Sequence, residues 1–304
     1  MLAMDALQRD LRGPDDFWPV RDFLASLYPT SPAGSVWDVR RWDGSIWHSD
    51  VPGLAPERAA RSRLWVTAGG RIVAAALSEG DRQIHPHVVP GFDDLLGEVV
   101  GWAEDAARAA GDDRSLLHVW DDASTLHDLA VDRGYAETDH WEVIRSLKLA
   151  HAMLPSEPMP NGYTMRTTRP EHADHQTVAD LLNAAFGRNF HLAADLANFT
   201  AMAPSFRRDL DLVAVAPDGT FAAYAAVCWD SCNRRGTFEP VCTHPDHRRR
   251  GLAKALMLEG MRRAQALGAD VIDVGTGDAD PANALYSSLP FDEVHRGRFW
   301  AKEL

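Results

Sequence analysis

The order of turn signals, apolar runs and helix ends in this 304-residue chain occurs twice, once in each half, and this repetition most constrains its fold. In the second half, apolar runs at Leu212–Val215 and Phe221–Cys228 are joined by Pro217-Asp218-Gly219, a hairpin turn signal. In the first half, Leu64–Thr67 and Ile72–Leu77 are joined by Gly69-Gly70. Thr243-His244-Pro245 then matches Ile84-His85-Pro86. A helical stretch follows in each half, Leu252–Leu267 and Leu95–Ala110, ending at Gly268 and Gly111, where a left-handed cap favours glycine. A buried-type strand comes next, Val271–Val274 or Leu116–Val119. Each half closes with a short helix and a last strand: Ala282–Leu289 then Phe291–Trp300, and Ser124–Arg133 then Tyr135–Leu147.

Strands alternating with helices imply an α/β fold with a mixed sheet. The stretch Leu154–Gly162 holds Pro155, Pro158 and Pro160, residues without the backbone N–H that helices and sheets use, and reads as a linker. The expected domains are therefore residues 1–153 and 163–304, joined by 154–162. Two copies of one fold explain the shared order, including the His-Pro match at nearly the same offset. Two unrelated α/β domains are the alternative.

The chemically informative segment is Phe238-Glu-Pro-Val-Cys-Thr-His-Pro-Asp-His-Arg-Arg-Arg-Gly-Leu-Ala-Lys-Ala-Leu256. A strand is expected to end near Thr243, and a helix to begin near Leu252. Between them lie Arg248, Arg249, Arg250 and Gly251. Free N–H groups at a helix start point outward, and the helix dipole favours an anion there. The three arginines and Lys254 add positive charge, so the segment reads as a pyrophosphate cradle.

These residues resemble the pyrophosphate signature of the GNAT superfamily of N-acetyltransferases, Gln/Arg-x-x-Gly-x-Gly/Ala after its fourth strand. Arg248-Arg249-Arg250-Gly251-Leu252-Ala253 matches each fixed position, and Val241-Cys242-Thr243 resembles the strand end whose backbone pairs with the pantetheine arm. Downstream, Ala282, Leu285, Tyr286 and Phe291 match a second family motif, while Ala279 and Pro290 depart from its usual Asn and Gly. The resemblance covers about residues 160–304. It implies two GNAT-like domains in tandem, the first degenerate, with acetyl-CoA as co-substrate and no metal. The cofactor-binding set it implies is Val241, Cys242, Thr243, Arg248, Arg249, Arg250, Gly251, Leu252, Ala253, Lys254, Asn283 and Tyr286. The tandem arrangement also resembles actinobacterial mycothiol synthases, without a feature that specifies their substrate.

The corresponding first-half stretch is His85-Pro86-His87-Val88-Val89-Pro90-Gly91-Phe92-Asp93-Asp94. It lacks the arginines, and Asp93 and Asp94 would repel phosphates. The first half is thus expected not to bind CoA and to serve as scaffold or as one wall of an acceptor pocket.

Acetyl transfer needs a neutral amine, a proton acceptor, an oxyanion donor and an acid for the thiolate. By the resemblance, the oxyanion donor is a backbone N–H near Val241, and Tyr286 meets the CoA sulfur. Glu239, two residues before Val241, faces the same side by strand alternation and is the candidate base. A solvated strand carboxylate and an aromatic packed under the last strand are the alternatives for Glu239 and Tyr286. The leading reading is a small-molecule amine N-acetyltransferase. Acylation of a protein N-terminus or lysine, and a non-catalytic acyl-CoA-binding regulatory module, stay open.

Other features carry less. His244 and His247 form a His-x-x-His pair without a companion carboxylate spacing for a metal. Gly275-Thr276-Gly277 lacks the rest of a dinucleotide fingerprint, and no Gly-x-Ser-x-Gly elbow occurs. In the tract Val36–His48, Trp37, Trp42 and Trp47, spaced by five, could line an acceptor pocket or form core. The formal charge of -13 argues against general nucleic-acid or anionic-membrane binding and suits a cationic small molecule. Met1–Pro19 carries Asp5, Asp10, Asp15 and Asp16, unlike a signal peptide, and no run of 18 apolar residues appears. Cys228, Cys232 and Cys242 are expected as buried, reduced thiols. A cytoplasmic monomer or homodimer is expected.

Overall fold

The computed structural model describes residues 6–30, 37–49, 53–79, 83–277 and 279–304; Asp5 and Val36, named above, lie outside them. The chain forms two compact units. One comprises Met1–Ser45, Gly53–Val143 and His295–Leu304, and the other Ile46–Pro52 and Ile144–Val294.

The first unit runs β1 (Ala6–Asp10), α1 (Phe17–Leu27), α2 (Val39–Trp47, whose last two residues fold with the second unit), α3 (Pro56–Ala60), β2 (Arg63–Thr67), β3 (Ile72–Ser78), β4 (Gln83–Val88), α4 (Leu96–Ala109), β5 (Arg114–Trp120), α5 (Ser124–Asp132) and β6 (Ala136–Lys148), which passes into the second unit after Val143. The second continues with β7 (Thr164–Thr167), α6 (His172–Phe186), α7 (Ala193–Met202), β8 (Asp211–Val215), β9 (Phe221–Asp230), β10 (Arg235–Thr243), α8 (Leu252–Ala266), β11 (Val271–Thr276) and α9 (Asp280–Ser287). The last strand, β12 (Glu293–Glu303), belongs mostly to the first unit.

The duplication is visible element by element: strand, two helices, three strands, helix, strand, helix, strand, with only α3 extra. The sheets are mixed. In the first unit the strand order is β1-β2-β3-β4-β5-β12, antiparallel except for β4 with β5. In the second, the end of β6 is followed by β11-β10-β9-β8-β7; β10 runs parallel to β11, and β10 with β9, β9 with β8 and β8 with β7 are antiparallel.

Two expectations change. Each half's closing strand was expected to stay with its own half. Instead β12 pairs with β5 from Gly297–Trp120 to Glu303–Arg114, and Leu147 of β6 joins the core of the second unit. Strand exchange is sterically free because both edges present the same ladder of backbone groups. The proline-rich stretch 154–162 is irregular, yet it is no free tether: Leu154 and Met159 pack on the second unit's core, and Arg262 donates to the Pro155 carbonyl at 2.6 Å.

The second unit's core joins Leu212, Ala223 and Phe238 of the sheet to Leu252, Leu256 and Met261 of α8. Gly260 sets how closely α8 approaches, since a Cβ there would lie 3.0 Å from the Phe238 ring. On the other face, Val178 and Leu182 of α6 meet Tyr224 and Cys242. In the first unit, Ile84, Val73 and Trp65 pack against Val99 and Ala103 of α4. Trp37 and Trp42 are buried there, and Trp42 Nε1 donates to the Phe17 carbonyl at 2.9 Å. Trp47 instead packs in the second unit, against Phe199, Ala203 and Cys228. Among the described residues, no helix is long and apolar enough to cross a membrane.

Candidate active site in the second unit

β10 organises the site. Its first half runs parallel to β11 from Arg235–Val271 to Phe238–Val274. A buried Arg235–Asp273 ion pair ties the two strands at that end. Past Phe238, β10 keeps only β9 as partner, through Thr243, while β11 continues to Thr276. The strands therefore part at Glu239, leaving main-chain groups of the segment 239–243 facing the gap.

The register with β9 also slips between Phe238 and Val241, a β-bulge, so that Phe238 pairs with Val227 and Val241 with Ala225. The bulge adds one residue and resets alternation. Phe238 and Val241 consequently pack on the same hydrophobic cluster, and strict alternation no longer places Glu239 beside Val241. What links Glu239 to the site is electrostatic. Burial raises the Tyr286 hydroxyl above its usual range, the nearby Glu239 carboxylate raises it further, and Arg145 acts in the opposite sense. Tyr286 is 5% exposed and packs in the same cluster as Val241 and Leu252.

Cys242 points to the opposite face, toward α6, where burial pushes its thiol up to about 12. Only its backbone can serve the gap. Cys228 is buried as expected, with its Sγ 3.8 Å from the Glu239 carbonyl oxygen. Cys232 is exposed, contrary to expectation, because it sits in the β9–β10 turn, where Asp230 Oδ1 accepts its N–H.

After Thr243 comes a one-turn helix, Pro245–His247, and then the arginine loop. Arg249 and Gly251 both adopt left-handed backbone, at φ 61° and 79°. This conformation costs roughly 1 kcal/mol or more for a residue with a side chain, and it turns the loop sharply into α8. A Cβ on Gly251 would meet nothing within 4 Å, so the space before the helix is open. The N–H groups of the first turn of α8 therefore front an open space, with three exposed arginine side chains around it. The loop is braced: Arg248 Nη2 donates to the Ala185 carbonyl at 2.8 Å, and the Tyr163 hydroxyl meets His247 Nδ1 at 2.9 Å. This arrangement fits a pyrophosphate in donors, charge and room.

Lys254 and Asn283 stand apart from the rest of the set. Lys254 Nζ lies 3.7 Å from Glu157, in the proline-rich stretch. Asn283 Nδ2 donates to the carbonyls of Gly277 and Ala279 at 2.9 and 3.2 Å, bracing the turn before α9. Leu252 and Ala253 are buried at the helix start, leaving their N–H groups as what they offer. Sequence reasoning missed Tyr163, Ala185 and Arg145. The first two are remote in sequence from the loop they brace, and Arg145 lies on a strand assigned to the other half. Among the described residues, no group of three or more His, Cys, Asp or Glu side chains could hold a metal ion.

A mixed sheet with two parallel strands that part beside an arginine-glycine loop at a helix start is the arrangement of a GNAT-type fold. Residues 176–291 match the model of the Acetyltransferase (GNAT) family. The whole chain has the fold of tandem GNAT proteins. It is similar to a tandem GNAT protein from the clavulanic acid biosynthesis pathway at 19% identity, with 98% of each chain covered and a TM-score of 0.68. It is also similar to a GCN5-related N-acetyltransferase from Sphaerobacter thermophilus at 20% identity, covering 98% of this chain and 95% of the other, with a TM-score of 0.66. A GNAT-family acetyltransferase from Colwellia psychrerythraea shares 12% identity over 97% of this chain and 100% of its own, with a TM-score of 0.65. No curated protein matches the chain significantly.

Proposed function

We propose that the second unit transfers the acetyl group of acetyl-CoA to a primary amine of a small molecule by direct attack. The observation that carries this reading is the loop Arg248–Gly251, open at the start of α8 and adjoining the parted strands β10 and β11. Pyrophosphate would lie against the N–H groups of Gly251, Leu252 and Ala253 with Arg248, Arg249 and Arg250 around it. The pantetheine arm would run along the backbone of Val241, Cys242 and Thr243. In the transfer, a C–N bond forms and the C–S bond breaks. Glu239 takes the proton of the amine, directly or through water. A backbone N–H near Val241 donates to the oxyanion, and Tyr286 gives a proton to the thiolate. The presence of both a carboxylate, Glu239, and a tyrosine, Tyr286, whose hydroxyl feels that carboxylate's charge, favours an enzyme over a non-catalytic acyl-CoA-binding module. The first unit, with Asp93 and Asp94 at the start of its equivalent helix, is read as not binding CoA.

The test is a thiol-release screen of the full chain with acetyl-CoA and a panel of small amines, alongside N-terminal and lysine peptides. Release with a small amine supports the reading. Release with peptides alone would move the acceptor to proteins. Calorimetry that detects no acetyl-CoA binding would overturn it.

A further inference from the structure

The stretch that leads from β6 to β7 does more than join the halves. From Leu149 onward it runs antiparallel to α8 and touches it at successive points. Gln265 Nε2 donates to the Leu149 and Ala152 carbonyls at 2.7 and 3.0 Å. Arg262 Nη2 donates to the Pro155 carbonyl at 2.6 Å, and Lys254 Nζ lies 3.7 Å from Glu157. As the stretch advances from Leu149 to Glu157, its partner on α8 recedes from Gln265 to Lys254, toward the helix start. The last contact lies beyond the helix, on the residue that precedes the arginine loop: the Tyr163 hydroxyl meets His247 Nδ1 at 2.9 Å.

Tyr163 is itself firmly placed. Leu154, Met159 and Tyr163 pack on the second unit's core. The Tyr163 N–H donates to the Pro160 carbonyl at 3.0 Å and closes a turn over Asn161 and Gly162. Gly162 has a φ of 85°, and a Cβ there would come 3.2 Å from Pro217 Cγ. Pro155, Pro158 and Pro160 restrict the backbone that leads to this turn. The Tyr163 ring stands edge-on to the His247 imidazole, with centroids 5.8 Å apart and planes at 88°.

The arginine loop needs such a hold. His247 closes the one-turn helix before it, its N–H donating to the His244 carbonyl at 2.9 Å. Past that residue the bonds are long. The Arg248 N–H reaches the Pro245 carbonyl, and Arg250 Nη2 the Asp246 carbonyl, each at 3.5 Å, the outer limit of a hydrogen bond. Arg249 holds a left-handed backbone that a residue with a side chain resists, and three adjacent guanidinium groups repel one another. A strained loop of this kind keeps its shape when its ends are fixed, and a loop fixed beforehand loses less entropy when a ligand arrives. The helix fixes the far end. The near end is held by Arg248 on the Ala185 carbonyl and by Tyr163 on His247. Arg248 can leave that carbonyl for a phosphate. The hold by Tyr163 uses none of the loop's own cations, so it persists when the phosphates bind.

We propose that Tyr163 is a positioning residue for acyl-CoA: through His247 it fixes the entry of the loop Arg248–Gly251 in the shape that receives the pyrophosphate. This inference rests on the reading of that loop as the pyrophosphate site. The test is calorimetry of acetyl-CoA on the full chain. Tyr163→Phe and His247→Leu should each weaken binding by about 2–10-fold, the scale of one neutral hydrogen bond. The double variant should be no weaker than the weaker single one, since both changes remove the same bond. His247→Asn puts an amide oxygen in the place of Nδ1, where it can accept from the Tyr163 hydroxyl. It should bind as the wild type does, and should lose that affinity when combined with Tyr163→Phe. ADP, which keeps a pyrophosphate and lacks the pantetheine arm, should lose affinity by the same factor in Tyr163→Phe. Three results would each overturn the proposal: wild-type affinity in Tyr163→Phe, additive losses in the double variant, or His247→Asn no better than His247→Leu. Gly251→Glu tells the two readings apart. If it abolishes binding while Tyr163→Phe changes nothing, the pyrophosphate site stands and the positioning role falls. If it leaves binding intact, both fall.

Discussion

At the scale of single residues, the proposed chemistry rests on two side chains, Glu239 and Tyr286, that should fail in different ways when changed. Tyr286→Phe removes one hydroxyl and keeps the ring that packs with Val241 and Leu252. Acetyl-CoA should still bind while turnover falls by about 100–10,000-fold, the range of general acid catalysis. Calorimetry and thiol release separate the two effects, and loss of binding would make the tyrosine structural. Glu239→Gln should lower the rate most at neutral pH. The defect should shrink as pH rises and more of the amine is already neutral, so a rate–pH profile checks it, and wild-type rates at neutral pH would remove the residue from the mechanism. The sequence pointed to Glu239 through alternation, an argument that the bulge between Phe238 and Val241 breaks. Bulges leave little trace in a sequence, since they depend on the partner strand. Tyr286 was singled out by a motif that lies largely within one short helix, a local signal that needs no partner strand.

At the scale of elements, the arginine loop was the most legible part of the site, and the parting of β10 from β11 the least. Glycine and arginine mark a loop locally, whereas the end of a ladder is a fact about two strands. Arg248→Ala should weaken acetyl-CoA by about 1.5–3 kcal/mol, the worth of a charge-assisted hydrogen bond, part of it through the lost brace to the Ala185 carbonyl. Gly251→Glu adds a side chain at φ 79° and a negative charge where phosphates would lie, and binding should be abolished. Unchanged affinity in both variants, measured by calorimetry, would sink the pyrophosphate reading. Below the gap, Asp273→Ala removes the carboxylate paired with the buried Arg235 guanidinium. Loss of one partner of a buried pair typically costs about 3–5 kcal/mol, and chemical denaturation should show the second unit weakened on that scale.

At the scale of the whole molecule, the duplication was plain in the order of elements, while the early strand and helix pair of each copy, β1, α1 and α2 or β7, α6 and α7, passed unread. Their apolar residues are interrupted by charge, as at Arg21 and Asp174, which the structure uses in ion pairs with Asp43 and Arg166. The exchange of β6 and β12 could not be read at all, because either strand satisfies either edge. Buried histidines give the first unit its own response to acid. Burial pushes His87 and His118 down to about 3 and about 2. In the unfolded chain both titrate near 6.5. As pH falls below about 6.5, the unfolded chain takes up protons that the folded unit refuses, so stability falls by about 1.4 kcal/mol per pH unit per histidine until the folded values are reached. Above that pH they add no slope. Hydrogen exchange at pH 7 and pH 5 should show amides of β4 and β5 losing protection in the acid sample. A pH-independent pattern would mean that the histidines are hydrated.

The position of β12 also has a consequence for synthesis. Phe299 and Trp300 complete the first unit's sheet and core, yet they are translated after every residue of the second unit. A ribosome-bound chain therefore holds β5 with an unfilled edge while the second unit is still emerging. The usual order, in which the earlier domain finishes first, is reversed. The earlier half must wait for the later one, and an unpaired edge kept open that long is where a chaperone would be expected to bind.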